Sequence, residues 1–266
     1  MARNRLKEFD KYEYYIKSVQ QPEDDVDFFL KVFQQLCGRK PRVLREDFCG
    51  TFIVCMEWVK RHPNFVAHGL DLDLEPIVYG REKFLPKLSS HQRDRVFVHQ
   101  MNVLDPEVPM SDMIVALNFS YFLFKSRQEL KMYFENCRRS LNPGGVFLLD
   151  AFGGSLCYDA NEEETKYRSY SYFWDQASFD PITNEATFFI HFKRKGEAKR
   201  ERVFRYDWRM WSIPEVREVL EEVGFKTTHT YWEGTTRSGA GDGNYRIRQH
   251  GEPCEAWVSY IAAVST

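Results

Sequence analysis

The chain has 266 residues, of which 43% are hydrophobic and 29% charged, and its formal net charge is −2. This composition is typical of a globular protein with its own core, and the balanced charge gives no electrostatic case for binding nucleic acid or an anionic membrane surface. The six cysteines form no metal-ligand spacing, no run approaches the roughly 18 apolar residues of a membrane span, and the start lacks a secretory signal, so we expect a metal-free cytoplasmic protein.

The first 40 residues combine tyrosines with a helix. An acidic first turn follows Pro22, and apolar positions then recur at helical spacing as far as Gly38. This pattern predicts an amphipathic helix. Tyr12, Tyr14 and Tyr15 precede it, and we expect them to fold over a pocket as a lid.

Five strand-like runs alternate with helical ones in the next segment. They span residues 43–46, 65–73, 96–104, 112–118 and 146–150. Such alternation predicts a parallel sheet covered by helices on both faces. Two further strands, 227–232 and 256–264, follow a capped helix that begins near Ser212. We therefore predict an α/β fold with a Rossmann-like, doubly wound, mostly parallel seven-stranded sheet and an antiparallel C-terminal strand.

An inserted segment interrupts this pattern. Residues 166–209 contain three long aromatic-rich runs, broken by turn-forming residues at 180–184 and 195–197. The breaks predict a small antiparallel sheet of three strands. The expected organisation is an N-terminal lid and helix, a nucleotide-binding core, an inserted β lid and the C-terminal part of the core. These parts correspond to residues 1–40, 41–155, 156–211 and 212–266.

The turn after the first strand carries the main functional indication. It contains two carboxylates, Glu46 and Asp47, and Gly50 is its single glycine. A pyrophosphate would need several glycines and would be repelled by the acids. S-adenosylmethionine has an ammonium and a sulfonium but no phosphate, so the same acids would attract it. The acidic turn therefore disfavours an NAD-dependent oxidoreductase.

Five motifs in this order resemble those of class I (Rossmann-like) S-adenosylmethionine-dependent methyltransferases. They are Glu46-Asp-Phe-Cys-Gly-Thr51, Gly69-Leu-Asp-Leu-Asp73, Met101-Asn-Val-Leu-Asp105, Leu141-Asn-Pro-Gly-Gly145 and Glu222-Val-Gly-Phe225. The resemblance covers nearly the whole chain. It is closest to a bacterial-type subgroup with an LREDFCGT signature. One departure is clear: Phe48 and Phe52 stand where that family usually has glycine.

The resemblance implies S-adenosylmethionine as cofactor, S-adenosylhomocysteine as product, and a role for each matching residue. Glu46 would face the ammonium, Gly50 and Thr51 would form the turn, and Asp71 would bind the ribose hydroxyls. The cofactor-binding residues implied in this way are Tyr15, Glu46, Cys49, Gly50, Thr51, Asp71, Leu72, Asn102, Val103 and Asn118. Among them, Asn102 and Val103 would flank the adenine.

Asn118-Phe-Ser-Tyr121 follows the fourth strand, where the transferred methyl group should point. The run is similar to the N-P-P-Y motif of amine and amide methylators, and we hypothesise that Asn118 and Tyr121 are catalytic and orient an amine acceptor. The alternative is that Asn118 caps the next segment and Tyr121 packs in the core.

The insert offers further candidates for substrate binding beside Tyr121. Arg205 or Arg209 can bind a carboxylate in a bidentate manner, and Trp174 can form a wall. An Arg–Asp pair within the insert, with Asp175 or Asp207, is the alternative that we favour for the arginines.

The sequence thus predicts a methyltransferase (EC 2.1.1) that moves a methyl group to a nucleophile, preferably an amine, of a small molecule. We expect a monomer or homodimer that binds neither nucleic acid nor membrane. The alternatives are a methyltransferase of protein or peptide side chains and a non-catalytic protein that binds S-adenosylmethionine.

Overall fold

The computed structural model describes residues 8–237 and 240–265. A central sheet has eight strands in the order β11-β10-β12-β5-β4-β1-β2-β3. The five neighbouring strands β3, β2, β1, β4 and β5 run parallel to one another. Strand β12 is antiparallel to both β5 and β10, and β11 is antiparallel to β10. The carboxyl ends of β1, β2 and β4 therefore meet at one edge, where ligands bind in such folds. The strands are β1 Val43–Asp47, β2 Val66–Asp71, β3 Val96–Gln100, β4 Ser111–Ala116, β5 Leu141–Gly153, β10 Thr227–Thr235, β11 Gly241–Ile247 and β12 Trp257–Val264.

Helices cover both faces of this sheet, and two apolar clusters fill the spaces beneath them. One cluster lies under α6 and α7, and the other lies under α2 and α3. The α-helices are α1 Lys11–Val19, α2 Pro22–Cys37, α3 Ile53–Arg61, α4 Leu74–Lys83, α5 Ser90–Arg93, α6 Arg127–Arg139 and α7 Ile213–Glu222. The predicted capping box is present, since Ser212 accepts from the Glu215 N–H and the Glu215 carboxylate accepts from the Ser212 N–H. Among the described residues, no helix is long and apolar enough to cross a membrane.

The insert is a separate antiparallel sheet in the order β6-β7-β8-β9. Its strands are β6 Asn161–Lys166, β7 Tyr170–Asp180, β8 Glu185–Arg194 and β9 Arg200–Arg209. Helix α1 packs on this sheet through Tyr14 and Tyr15, and Phe9, just before the helix, packs beside them next to Phe192.

Helix α1 also contacts the core. Lys11 pairs with Glu75 of α4 at 2.7 Å, and the Tyr79 hydroxyl donates to Asp10 Oδ2 at 2.8 Å. The Tyr12 and Tyr79 rings lie 4.8 Å apart. Helix α1 and the insert sheet thus form one roof, which is fastened to the core at α4.

The predicted fold class is confirmed, and the structure adds two strands to it. All seven predicted core strands are present, and β11 extends the sheet through a segment that we predicted as a glycine-rich loop. The prediction of three insert strands was wrong, because β6 adds a fourth. Its sequence, Asn-Glu-Glu-Glu-Thr-Lys, is polar and largely exposed, so it lacks the apolar alternation by which a half-buried strand is recognised.

Candidate functional site

In the turn after β1, every second residue has a left-handed backbone conformation. Phe48, Gly50 and Phe52 have φ values of 58°, 50° and 47°. Glycine adopts this conformation freely, whereas other residues pay roughly 1–2 kcal/mol for it. The turn thus keeps the backbone of a glycine-rich loop although phenylalanine occupies two of its three left-handed positions.

Packing explains the two phenylalanines. The Phe48 ring lies 5.6 Å from that of Tyr133 on α6. Phe52 is fully buried under α3 and α4, and Gly80 leaves room for it, since a Cβ there would lie 2.5 Å from the Phe52 ring. The buried rings offset the backbone strain. At Gly50, by contrast, a Cβ would meet nothing within 4 Å, so the space in front of this residue is open to a ligand.

The two carboxylates of the turn both point into the protein. Asp47 accepts from the Arg45 guanidinium at 2.8 Å and from the Tyr133 hydroxyl at 2.9 Å, and the side chains of Arg45 and Asp47 are fully buried. Glu46 accepts from the Cys55 N–H at the start of α3 at 3.1 Å. Burial raises the pKa of Glu46 to about 8. The two acidic side chains on which the sequence argument relied therefore hold the turn and are not presented to a ligand.

Asp71 lies in front of the turn, at the end of β2. Its Oδ2 accepts from the Gly50 N–H at 2.7 Å, and its Oδ1 accepts from the Asp73 N–H at 2.9 Å. Burial raises the pKa of this carboxyl. Because each carboxylate oxygen has two lone-pair sites, Asp71 retains acceptor capacity for a ligand hydroxyl.

A cavity of about 400 Å³, the turn cavity, opens between the β1 turn and the roof. Two buried polar atoms of its lining, Thr51 Oγ1 and Gln20 Oε1, have no hydrogen-bond partner. Since buried polar atoms are nearly always satisfied, these two are available to a polar group that enters the cavity. The cavity is lined by Tyr12, Tyr15, Gln20, Phe48, Cys49, Gly50, Thr51, Asp71, Asp73, Pro76, Asn118, Ser120, Leu123, Phe204, Arg205, Tyr206, Asp207 and Trp208.

The end of β4 forms a second left-handed turn. Asn118 and Phe119 have φ values of 54° and 58°. Their N–H groups donate to the two carboxylate oxygens of Asp150, at 2.7 and 2.8 Å. Asp150 lies on the neighbouring strand β5, and burial raises its pKa to about 7. Asp150 thereby stabilises a conformation that neither residue favours by itself.

Asn118 lies where three cavities meet. It lines the turn cavity, an aromatic cavity of about 460 Å³ under the insert, and an acidic cavity of about 790 Å³ beside α2. Within the described parts of the chain its side chain has no hydrogen-bond partner. The aromatic cavity is lined by Tyr15, Val19, Asn118, Phe119, Phe152, Gly153, Leu156, Cys157, Asn161, Glu163, Tyr172, Trp174, Gln176, Ile190, Tyr206, Trp208, Glu233, Tyr245, Ala256, Trp257 and Val258.

The structure brings together most of the predicted site residues. Tyr15, Cys49, Gly50, Thr51, Asp71, Asn118 and Arg205 all line the turn cavity, and Trp174 lines the aromatic cavity. Arg205 is exposed and makes a bidentate pair with Asp207 at 2.8 and 2.9 Å. This geometry matches the alternative of an Arg–Asp pair within the insert.

The structure places other predicted residues away from these cavities. Tyr121 is fully buried among Phe122, Phe134 and their neighbours, with its hydroxyl unpartnered, so the packing alternative describes its position. Arg209 stacks on the Trp211 ring at 3.8 Å and pairs with Glu215. These two residues line none of the three cavities because core packing and α7 occupy their side chains.

The residues predicted at the adenine are also outside the turn cavity. Val103 is buried in the core, and the Asn102 side chain accepts from the Leu104 N–H at 2.9 Å. Leu72 is exposed beside Asp71. Glu46, buried behind the turn, does not line the cavity either.

One cluster in the insert, Glu162, Asp175 and His191, has three potential metal ligands close together. Its hydrogen bonds do not suit a metal. The His191 Nδ1 accepts from the Arg202 N–H at 2.7 Å, so in the neutral ring Nε2 carries the proton and donates to Asp175 at 3.0 Å. Glu162 pairs with Lys199. The cluster is a hydrogen-bonded link between β6, β7 and β8.

Sequence reasoning missed several residues of the site. Asp150 was identified only as the end of a strand, and Gln20, Glu163 and Glu233 were not singled out. A carboxylate directly at the end of a buried strand was the available indication for Asp150. The other three residues come to the site only through the arrangement of the roof and of β10.

Comparisons with known proteins support the fold. The chain matches no model of a protein family and no curated protein sequence. Among solved structures, it is similar to an S-adenosylmethionine-dependent methyltransferase from Clostridium acetobutylicum, with a TM-score of 0.68, 15% identity, and coverage of 96% of this chain and 98% of that one. The fold is thus that of this solved structure.

Two further structures share it. One is an amino pentose methyltransferase from Micromonospora echinaspora, solved with bound S-adenosylmethionine, with a TM-score of 0.67, 14% identity and coverage of 99% and 100% of the two chains. The other is a sugar N-methyltransferase from Streptoalloteichus, with a TM-score of 0.62, 15% identity and coverage of 100% and 98%.

Proposed function

We propose that this protein is an S-adenosylmethionine-dependent methyltransferase that acts on an amine nitrogen of a small molecule. The observation that carries the proposal is the position of Asn118. Its free amide lies at the junction of a cavity with unpartnered polar atoms and a cavity with aromatic walls. The solved structures of this fold include an amino pentose methyltransferase, a sugar N-methyltransferase and a glycopeptide N-methyltransferase, which agrees with an amine acceptor.

The residues of the turn cavity fit the proposed cofactor. Thr51 Oγ1 and Gln20 Oε1 supply unused polar atoms for the methionine part, and Gly50 leaves space for close approach. Asp71 would accept from the ribose hydroxyls. In this proposal Glu46 acts through the turn, by fixing the start of α3, and does not touch the ammonium. S-adenosylmethionine would supply the methyl group, bonded to a sulfonium.

The chain's contribution to the transfer is positioning. The Asn118 amide oxygen accepts a hydrogen bond from the acceptor N–H and directs the nitrogen lone pair toward the turn cavity. The new N–C bond forms as the S–C bond breaks, the electron pair passes to sulfur, and the amine proton leaves to water. Positioning and exclusion of water provide most of the acceleration in such a displacement. The roof of α1 and the insert covers this point.

The roof also bears on the nature of the acceptor. Since α1 and the insert cover the cavities, a small molecule fits them better than the side chain of a folded protein. A cytoplasmic location is part of the proposal, and the six free cysteines agree with a reducing compartment.

Calorimetry with S-adenosylmethionine tests the proposal. We expect binding at submillimolar concentration, weakened about tenfold by Thr51→Val because one hydrogen bond to a charged ligand is lost. Thr165→Val, on the exposed strand β6, is the matched control and should bind like the wild type. Absence of binding at millimolar cofactor would overturn the proposal. Transfer of a labelled methyl group to a panel of amines, but not to the corresponding alcohols, would establish the acceptor atom.

A further inference from the structure

The aromatic cavity contains two carboxylates without a cation to match them. Glu163 lies on β6, opposite Trp174 of β7, and Glu233 lies on β10, on the core side of the cavity. No lysine or arginine is present among the described residues that line this cavity, and neither glutamate has an ion-pair partner among them. Glu233 Oε1 accepts from the Gly243 N–H at 2.8 Å, which fixes its carboxylate in place.

The acidic cavity adjoins the aromatic cavity and is lined by further carboxylates. It shares Asn118, Phe119, Glu233 and Tyr245 with the aromatic cavity. Its other acidic lining residues are Asp24, Asp25, Asp27 and Asp150, and Lys31 is the one cationic residue in its described lining. Carboxylates thus outnumber cations in this lining, and an excess of negative charge raises the local concentration of cationic ligands.

A nitrogen that attacks a methyl group must be uncharged, because an ammonium has no free lone pair. The cation that these glutamates match is therefore a different group from the nitrogen held by Asn118. We propose that the acceptor is a small di- or polycationic amine: one of its nitrogens is held uncharged at Asn118, and a second, protonated one is bound by Glu163 and Glu233. This inference rests on the proposed function and specifies its substrate class.

The walls of the cavity suit such a ligand. Tyr206 and Trp208 line both this cavity and the turn cavity, and Trp174 and Trp257 line this cavity alone of the two. The faces of tyrosine and tryptophan attract ammonium groups by about 0.5–2 kcal/mol, more when water is excluded. The methylene chains of an aliphatic amine pack on the same surfaces. An acceptor with a phosphate or carboxylate group would instead be repelled by both glutamates.

Calorimetry on the protein loaded with S-adenosylhomocysteine tests this proposal. Spermidine and pentylamine serve as probes, since both have primary amines but only spermidine has additional cations. We expect spermidine to bind at least about tenfold more tightly than pentylamine. Glu233→Gln and Glu163→Gln should each weaken spermidine binding several-fold, and by a larger factor than they weaken pentylamine binding.

Glu164→Gln is the matched control. Glu164 is the next residue on β6, so its side chain points to the opposite face of the strand, where it pairs with Lys166 at 3.5 Å. This substitution should leave spermidine binding unchanged. Thermal unfolding of each variant verifies that the glutamine replacements fold.

Two outcomes separate this proposal from the proposed function. If S-adenosylhomocysteine itself does not bind, the proposed function fails, and this inference fails with it. If S-adenosylhomocysteine binds but spermidine does not, or if spermidine and pentylamine bind equally, the proposal of a polycationic acceptor is overturned by itself. A preference for spermidine that survives in the Glu163→Gln/Glu233→Gln double variant also overturns it.

Discussion

The turns that follow β1 and β4 both have left-handed backbone conformations, but they differ in which side chains they leave free for a ligand. Both contain non-glycine residues with positive φ, Phe48 and Phe52 in the first and Asn118 and Phe119 in the second. In the β1 turn both acidic side chains are turned inward: Asp47 pairs with Arg45, and Glu46 accepts a hydrogen bond from the start of α3. In the β4 turn the carboxylate of Asp150 holds the backbone, and the Asn118 side chain stays free at the cavities.

The difference teaches that charge within a binding motif is a poor guide to what contacts the ligand. The two acids at the end of β1 are the most conspicuous feature of the sequence, yet their hydrogen bonds are satisfied inside the protein. The groups that the turn cavity offers to a ligand include three without hydrogen-bond partners: Thr51 Oγ1, Gln20 Oε1 and the Asn118 amide. The comparison predicts that damage to the β1 acids reduces stability, whereas loss of Asn118 reduces activity.

The largest effect is expected from Arg45→Met. This change leaves Asp47 buried without its cation, which costs about 3–5 kcal/mol of unfolding free energy. Denaturant unfolding should show a lower midpoint at an unchanged slope. The double variant Arg45→Met/Asp47→Leu removes both charges and should recover part of the loss. A single variant as stable as the wild type would show that the pair does not hold the turn.

Asn118→Gly is expected to reduce methyl transfer about 100-fold, as loss of one positioning hydrogen bond at a reacting centre does in other enzymes. Glycine keeps the positive φ, so the turn and the affinity for S-adenosylmethionine should be preserved. Rates are measured as labelled methyl transfer to spermidine, or to whichever amine of the panel is methylated.

The control for Asn118 is Asn184→Gly. Asn184 is also left-handed, with a φ of 58°, but it lies in the β7–β8 hairpin and lines none of the three cavities. Its replacement should change neither rate nor affinity. Full activity in Asn118→Gly would refute the role given to the amide.

The smallest expected effect is a difference between two substitutions at Phe52. Phe52→Ala removes a buried ring and should cost about 3–5 kcal/mol. Phe52→Gly removes the same ring but also relieves the backbone strain, so it should be about 1 kcal/mol more stable than the alanine variant. Alanine usually stabilises a protein relative to glycine, and finding that usual order here would show that the left-handed turn carries no strain.

Much of the fold could be predicted from the sequence. Buried parallel strands form continuous apolar runs, and these runs located seven strands of the main sheet. The caps of α2 and α7 marked the ends of those two helices. The polar strand β6 and the edge strand β11 escaped prediction because their residues are mostly solvent-exposed. What determines them is pairing with a neighbouring strand, which leaves no apolar pattern in the sequence.

The site was predicted less completely, for a similar reason. Gly50, Thr51 and Asp71 occupy fixed places in a strand–turn–helix unit, so their proximity follows from local sequence. The direction in which a side chain points does not follow from local sequence. Glu46 near the end of β1, Asn102 after β3 and Tyr121 after β4 all lie near strand ends. Glu46 is bonded to the start of α3, the Asn102 side chain accepts from the Leu104 N–H, and Tyr121 packs in the core, so none of the three lines the cavities.

The roof is built from two segments that are far apart in the sequence, the insert sheet and helix α1. Residues 161–209 form one block of chain between β5 and α7 and supply one side of the aromatic cavity. An exchange of this block between related proteins would replace that side in a single step and leave the β1 turn untouched. Helix α1 would have to be exchanged together with this block, because Tyr14 and Tyr15 are packed on the insert sheet. Recombination that separates the two would leave an apolar face uncovered, so we expect these distant segments to be inherited together.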